Sequence, residues 1–311
     1  MILYERVSWL SMIVRVQGSV VSRIWPRFVV TTAVSSVFTW LQRDPRFHFS
    51  LTVTPFVITG LPLGIILGFR NSASYDRFWD GRKLWGTLVN GSRTLVRQLD
   101  SYVAIDADDA AADVRAWRRD TAYRLVAFSH ALCMHLRRAH DPETLRPLLP
   151  AAEVEALASE ASPPAALVHR LGADVRTALQ RGWVNPLHVP MFEATLVSLT
   201  DVVGGCERIK NTPTPISYLI FIHRAVALYC LLLPFGLVDT VQVFTPLVVF
   251  FISYALFSLD AIGDELDDPF RAGANALPIA SIARNVEIYV RRRLGETDLP
   301  VPLPPIDGVM L

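Results

Sequence analysis

The 311-residue sequence lacks the short motifs that mark the common enzyme classes. It contains no Walker phosphate-binding loop, no dinucleotide fingerprint after a strand, no Gly-x-Ser-x-Gly and no paired-histidine zinc motif. It also shows no strand-like alternation and no internal repeat. We therefore expect no catalytic residue and no cofactor, and predict that the protein is not an enzyme.

Cysteine is scarce, and neither sign of charge is in excess. The three cysteines, Cys133, Cys206 and Cys230, are far apart, so we expect neither a disulfide framework nor a cysteine metal site. The 30 basic and 29 acidic residues give a formal net charge of +1. This balance lacks the basic field typical of nucleic-acid-binding proteins, so no nucleic-acid partner is predicted.

Hydrophobic residues, by contrast, are abundant. They make up 51% of the chain, and the mean hydropathy is +0.34, which favours a protein that lies partly in lipid. Four segments are candidate membrane helices: residues 25–41, 51–69, 216–237 and 241–259. The third contains His223 and Arg224, which we expect to face protein or water because charge is costly in lipid.

The spacing of these segments predicts an all-α integral membrane protein. Residues 1–23 are expected to form a cytosolic or interfacial helix, with helical potential from residue 2 onward. Residues 24–70 hold membrane helices 1 and 2, 71–212 a large cytosolic helical domain, and 213–260 helices 3 and 4. A C-terminal cytosolic segment covers 261–311, and the distribution of arginine places both termini in the cytoplasm.

The second membrane segment carries two neighbouring stripes of side chains. Residues four apart on a helix share a face, and two such sets overlap here: Gly60, Gly64 and Gly68, and Leu61, Ile65 and Phe69. Glycine lets a neighbouring membrane helix approach closely. The pattern therefore fits an ordinary helix with a glycine packing face, or the wall of a pore formed by several copies.

An acidic cluster follows the fourth segment. Its members are Asp264, Glu265, Asp267 and Asp268. The composition resembles a calcium loop, but the alternating ligand spacing of an EF-hand is missing, and a solvated turn is the alternative. We therefore predict no metal site and keep the four residues only as weak calcium-clasp-like candidates.

Several blocks of the sequence resemble bacterial bestrophin homologues. They occur in the expected order between residues 25 and 296. They comprise Gly68-Phe69-Arg70-Asn71-Ser72, Tyr75-Asp76-Arg77-Phe78-Trp79-Asp80-Gly81-Arg82-Lys83-Leu84-Trp85-Gly86, Cys206-Glu207-Arg208-Ile209, Asn211-Thr212-Pro213-Thr214-Pro215-Ile216, Leu233-Pro234-Phe235 and Asp268-Pro269-Phe270.

The resemblance implies a homopentameric ion channel in the bacterial inner membrane, with four membrane helices per subunit around a central pore. The implied partners are other copies of this chain, permeant monovalent ions and membrane lipid. The matching neck residues are Leu61, Ile65 and Phe69, and the matching cytosolic aperture is Leu187, after Asn185-Pro186. Leu61 departs mildly from the family, which often has isoleucine there.

The resemblance leaves the permeant ion open. Bacterial relatives imply cation permeability, whereas eukaryotic relatives imply a chloride-selective channel gated by calcium through an acidic clasp. Arg271 and Ala276 stand where bacterial relatives more often have glycine and an acid, which argues against calcium control. A non-conducting membrane scaffold and a membrane enzyme with a site in residues 71–212 remain as alternatives.

Overall fold

The computed structural model describes residues 9–47, 49–103, 111–139, 141–305 and 309. These residues are mostly helical and contain no strand; Val103 and Val184 form one isolated antiparallel bridge. The prediction of an all-α chain is therefore confirmed. The helices are α1 (Trp9–Val14), α2 (Val21–Leu41), α3 (Thr54–Ser101), α4 (Ala111–Arg137), α5 (Ala151–Ala158), α6 (Pro163–Gln180), α7 (Val189–Asn211), α8 (Ile216–Val241), α9 (Thr245–Asp267) and α10 (Ile279–Arg293).

The longest helix is α3, which has 48 residues. At 1.5 Å per residue it is about 70 Å long. The predicted membrane segment ends at Phe69, but the helix continues through Arg70 without a break. One face stays buried along its length, including Leu67, Ser74, Trp85 and Leu88, and this packing supports the helix after the apolar residues end.

The N-terminal region differs from the prediction of one helix over residues 2–23. Residues 2–8 lie outside the described part of the chain, α1 ends at Val14 and α2 begins at Val21. Gly18 adopts a φ of 80°, a left-handed conformation that suits glycine. The Ser19 hydroxyl then accepts a hydrogen bond from the Val21 amide at 3.2 Å. The turn at Gly18 therefore separates two helices, and a continuous helix is wrong for the described residues.

The chain divides into two compact units. The smaller unit contains the described residues up to Phe78 together with Pro213–Pro269. In it, α2 packs against α8 and α9, and the short turn Gln242–Phe244 joins α8 to α9 as a hairpin. Its main core contains Ile24, Phe28, Leu63, Leu67, Ile222, Val226, Cys230 and Phe257.

The larger unit contains Trp79–Thr212 and the described residues from Phe270 onward. Here α4 packs against α6 and α10, and α6 packs against α7. Its largest fully buried side chains include Trp85, Phe128, Phe192 and Phe270.

Three stretches of described helix are long and apolar enough to cross a membrane: Thr54–Ser101, Pro186–Asn211 and Ile216–Asp267, the last covering both α8 and α9. The helix α2, predicted as the first membrane helix, is not among them and carries Arg23 and Arg27. Within Pro186–Asn211, Phe192 and Leu199 are fully buried, so its hydropathy also suits a core helix. A total of four membrane helices thus stays a prediction.

Candidate functional site

The predicted neck residues form an exposed apolar stripe on α3. Leu61, Ile65 and Phe69 are 70%, 50% and 72% exposed, whereas Leu63 and Leu67 are buried in the core of the smaller unit. Successive residues of a helix turn by about 100°, so each member of the stripe lies about 120–160° from each of these two buried residues. The three side chains therefore point away from the core of their own unit.

The three predicted packing glycines have different surroundings. A Cβ atom on Gly60 would lie 2.6 Å from the Tyr229 hydroxyl oxygen, whereas Gly64 and Gly68 have no neighbouring heavy atom within 4 Å of that position. The Tyr229 hydroxyl donates to the Phe56 carbonyl oxygen at 3.3 Å, which holds the ring beside Gly60. Gly60 thus permits packing within the chain. Packing of Gly64 and Gly68 against another copy stays a prediction.

A buried ion-pair network begins where the stripe ends. The Arg70 side chain is only 2% exposed, and its Nη1 donates to Asp260 Oδ1 at 2.6 Å and to the Asp260 carbonyl oxygen at 3.1 Å. Its Nη2 pairs with the Asp264 carboxylate. One guanidinium therefore faces two carboxylates, which leaves this trio with an excess negative charge.

Two further basic side chains approach that excess charge. His223 Nδ1 lies 2.7 Å from Asp260 Oδ2, and Arg27 Nη1 lies 3.5 Å from the same oxygen. Arg27 is 42% exposed, and it lines an open cavity of about 330 Å³ together with the apolar side chains of Leu231 and Phe257. Of the two residues expected to face protein or water, His223 contacts protein through Asp260, and Arg224 is exposed at the surface of the chain.

The predicted aperture residue, Leu187, lies in a short, capped turn of the larger unit. Leu187 is 81% exposed in the short 3₁₀ turn Pro186–His188. The Asn185 side-chain oxygen caps this turn by accepting from the Leu187 amide at 2.9 Å. The His188 ring packs on Tyr102 with centroids 4.5 Å apart, so the turn holds an apolar side chain in solvent.

The thiols of Cys133 and Cys206 in the larger unit are not activated as nucleophiles. Burial raises the pKa of Cys133 to about 11 and that of Cys206 to about 12. Both thiols therefore stay protonated at neutral pH, where only a thiolate reacts efficiently.

A comparison with protein families identifies the family to which this chain belongs. The family model described as "Bacterial/Fungal Bestrophin protein" matches residues 1–292. The chain belongs to the bacterial and fungal bestrophin family. The resemblance seen in the sequence blocks is thus confirmed, and this is a family of membrane ion channels rather than of enzymes.

Curated relatives of this bestrophin carry channel names. The chain is 37% identical to the "Voltage-dependent anion channel-forming protein RSc3414" of Ralstonia nicotianae, with 96% of each chain covered. It is 32% identical to the "Voltage-dependent anion channel-forming protein YneE" of Escherichia coli K12, with 98% of each covered.

A solved structure supports the fold of this bestrophin. The crystal structure of a bacterial bestrophin homologue from Klebsiella pneumoniae superposes with a TM-score of 0.80 at 34% identity, covering 88% of this chain and 99% of that one.

The weak calcium-clasp-like candidates of this bestrophin are engaged in other contacts. Asp264 pairs with Arg70, while Asp267 lies 3.2 Å from Arg77 Nε and accepts from the Thr214 hydroxyl at 2.6 Å. Glu265 and Asp268 also have partners. Across the described ranges, no three His, Cys, Asp or Glu side chains group in a way that could hold a metal ion.

The Arg70–Asp260 pair was not predicted from the sequence. A usable signal was present, because Arg70 directly follows an uncharged apolar run and a basic group there needs a partner. Asp260 and Asp264 are four residues apart and therefore share one face of α9. What the sequence could not show is that α9 turns this face towards α3.

Proposed function

We propose that the protein is one subunit of a ring-shaped membrane ion channel in which Leu61, Ile65 and Phe69 of each copy form a hydrophobic neck. The carrying observation is the stripe itself, three large apolar side chains turned away from their own core. Membership of a family whose relatives are named channel-forming supports the proposal.

An apolar stripe suits either lipid or a pore, and the open glycines beside it favour a pore. Gly64 and Gly68 leave space for a second α3 helix to approach closely. If this flank meets the opposite flank of the next copy, around Pro62 and Ile66, the contact is head-to-tail and closes only as a ring. The resemblance implies five copies, which we adopt.

The neck would gate by wetting. A ring of apolar side chains expels water when it is narrow and so raises the barrier to ions. Small outward rotations of α3 would hydrate the neck and permit conduction. In this proposal Leu187 forms a second apolar constriction, because its capped turn fixes the side chain in solvent.

The proposed topology rests on the four apolar segments and on the basic residues that flank them. Four membrane helices cross a bacterial inner membrane, and both termini and residues 71–212 lie in the cytoplasm. The partners are other copies of the chain, lipid and small monovalent ions.

The sign of the permeant ion has two candidates. The resemblance to bacterial homologues implied cations, whereas the names of the curated relatives favour anions. Purified protein in liposomes or planar bilayers under asymmetric KCl distinguishes them. A reversal potential near that of K⁺ indicates a cation channel and one near that of Cl⁻ an anion channel. Complete absence of flux would refute conduction and support the scaffold alternative.

The neck itself is tested by the variants Ile65→Ala and Phe69→Ala. Removing a ring of large apolar side chains widens and wets the constriction, so we expect higher single-channel conductance with an unchanged oligomer. Val37→Ala, which shortens an exposed apolar side chain of α2, is the matched control. Unchanged currents in both variants would refute the assignment of these residues to the neck.

A further inference from the structure

The larger unit carries an open pocket lined by arginine. Its volume is about 450 Å³, and its lining includes Arg93, Arg97, Arg293 and Tyr289. The first two arginines come from α3, and the others from the end of α10. Neither the residues of the apolar stripe nor Leu187 line the pocket, and the proposed conduction does not use it.

Among the described residues, the arginines of this pocket lack carboxylate partners that would neutralise their positive charge. Arg93 and Arg97 are exposed and four residues apart on α3, an arrangement of like charges that destabilises a helix. The guanidinium carbons of Arg93 and Arg293 each lie 5.5 Å from the centroid of the Tyr289 ring. Within the described ranges, no carboxylate pairs with Arg93, Arg97 or Arg293.

One acidic residue lines the pocket, and it is already engaged. The Asp100 carboxylate pairs with Arg118. Three guanidinium groups therefore converge on one open space, although the whole chain has a net charge of only +1. Such a local excess is relieved by an anion that enters the pocket.

The chemistry of the lining selects the class of anion. Guanidinium groups bind phosphate oxygens in a bidentate manner, and the Thr94, Ser101 and Tyr289 hydroxyls can also donate. We propose that this pocket binds a small solute that carries linked phosphate groups. The three guanidiniums and the volume exceed what a single phosphate requires, and a long polyanion would extend beyond the pocket.

Inorganic pyrophosphate is the probe for this site. Isothermal titration of the full-length purified protein in detergent, at physiological salt, should show saturable binding that is tighter than binding of inorganic phosphate. Arg97→Gln and Arg293→Gln should each weaken binding about tenfold, the effect of losing one charge-assisted contact. Arg176→Gln removes an exposed arginine that does not line the pocket and should leave binding unchanged.

Thermal unfolding provides the second readout and separates loss of binding from loss of folding. Pyrophosphate should raise the Tm of the wild type and of Arg176→Gln, and it should raise the Tm of Arg97→Gln and Arg293→Gln much less. Without pyrophosphate, all four proteins should have similar Tm values. If all variants bind pyrophosphate equally, its binding reflects general charge screening and not this pocket, and the proposal is overturned. No binding would also overturn it, as expected if an acidic surface of another copy neutralises the arginines.

Discussion

At the scale of single residues, Asp260 is the centre of the smaller unit's ion-pair network. Its carboxylate faces Arg70, His223 and Arg27, and its carbonyl oxygen accepts from Arg70. Burying charge is costly unless each group is paired and hydrogen-bonded, and Asp260 meets this condition. The network therefore joins α3, directly after the last residue of the apolar stripe, to α9.

Asp260→Asn tests this role. The substitution leaves Arg70 buried without its full charge partner, so we expect the free energy of unfolding to fall by about 3–5 kcal/mol. Unfolding followed by tryptophan fluorescence in detergent measures the change. Asp239→Asn, at an exposed position of α8, is the matched control. Equal stability of the two variants would show that the network does not hold the unit together.

Glu287 plays a comparable part in the larger unit. It is buried, and its Oε2 lies 2.9 Å from His130 Nε2 and 3.0 Å from Arg284 Nη1. Burial by itself raises the pKa of Glu287, but the His130 hydrogen bond and the charges of His130 and Arg284 outweigh it, so the pKa is lower than its ordinary 4.5. A carboxyl group with a lowered pKa in the folded state stabilises folding above the ordinary pKa and loses that contribution as pH falls.

Glu287→Gln should therefore show a pH-dependent loss of stability. At neutral pH we expect about 1.5–3 kcal/mol of destabilisation, the range for losing a hydrogen bond to a charged group. The difference from wild type should shrink as the pH is lowered through 4.5 and below. Denaturant unfolding at a series of pH values measures it, with exposed Glu155→Gln as control. A difference that does not vary with pH would contradict the assignment.

At the scale of the secondary-structure elements, the open flank of α3 is the surface through which we propose that the copies assemble. Gly64→Leu fills the open space beside this helix. We expect this variant to prevent close helix approach and to shift the purified protein to smaller species on native mass measurement. Val37→Leu adds volume at an exposed position of α2 and should leave assembly intact. A normal oligomer of Gly64→Leu would refute the packing role of the glycine.

The elements were predictable where one local pattern decides them. Spacing of four residues placed Leu61, Ile65 and Phe69 on one face, and the very short link between the third and fourth predicted segments indicated the hairpin of α8 and α9. The sequence could not show that Gly60 packs within the chain while Gly64 and Gly68 stay open. The proximity of Tyr229 to Gly60 depends on how α8 packs. The break at Gly18 was likewise missed, because glycine is tolerated in helices and its φ follows from the packing of α2.

At the scale of the whole molecule, a single chain leaves its proposed functional side chains uncovered. Leu61, Ile65, Phe69 and Leu187 are all at least half exposed. Exposed apolar residues of this size mark an interface with lipid, with protein or with a narrow pore. Native mass measurement should give a complex near five times the 34.7 kDa of one chain if the proposed ring forms.

The ring also predicts a pattern of cross-linking that lipid-facing residues cannot produce. The three native cysteines are buried, so Ile65→Cys supplies the only accessible thiol among the described residues. Around a common axis, the five introduced thiols lie close together, and a short bis-maleimide should join them in pairs. Because five is odd, about one chain in five should remain single even at complete reaction, which denaturing electrophoresis measures. Val37→Cys, exposed on α2, should give no such pairs. Cross-linking that runs to completion would exclude an odd-numbered ring, and its absence would place Ile65 away from the axis.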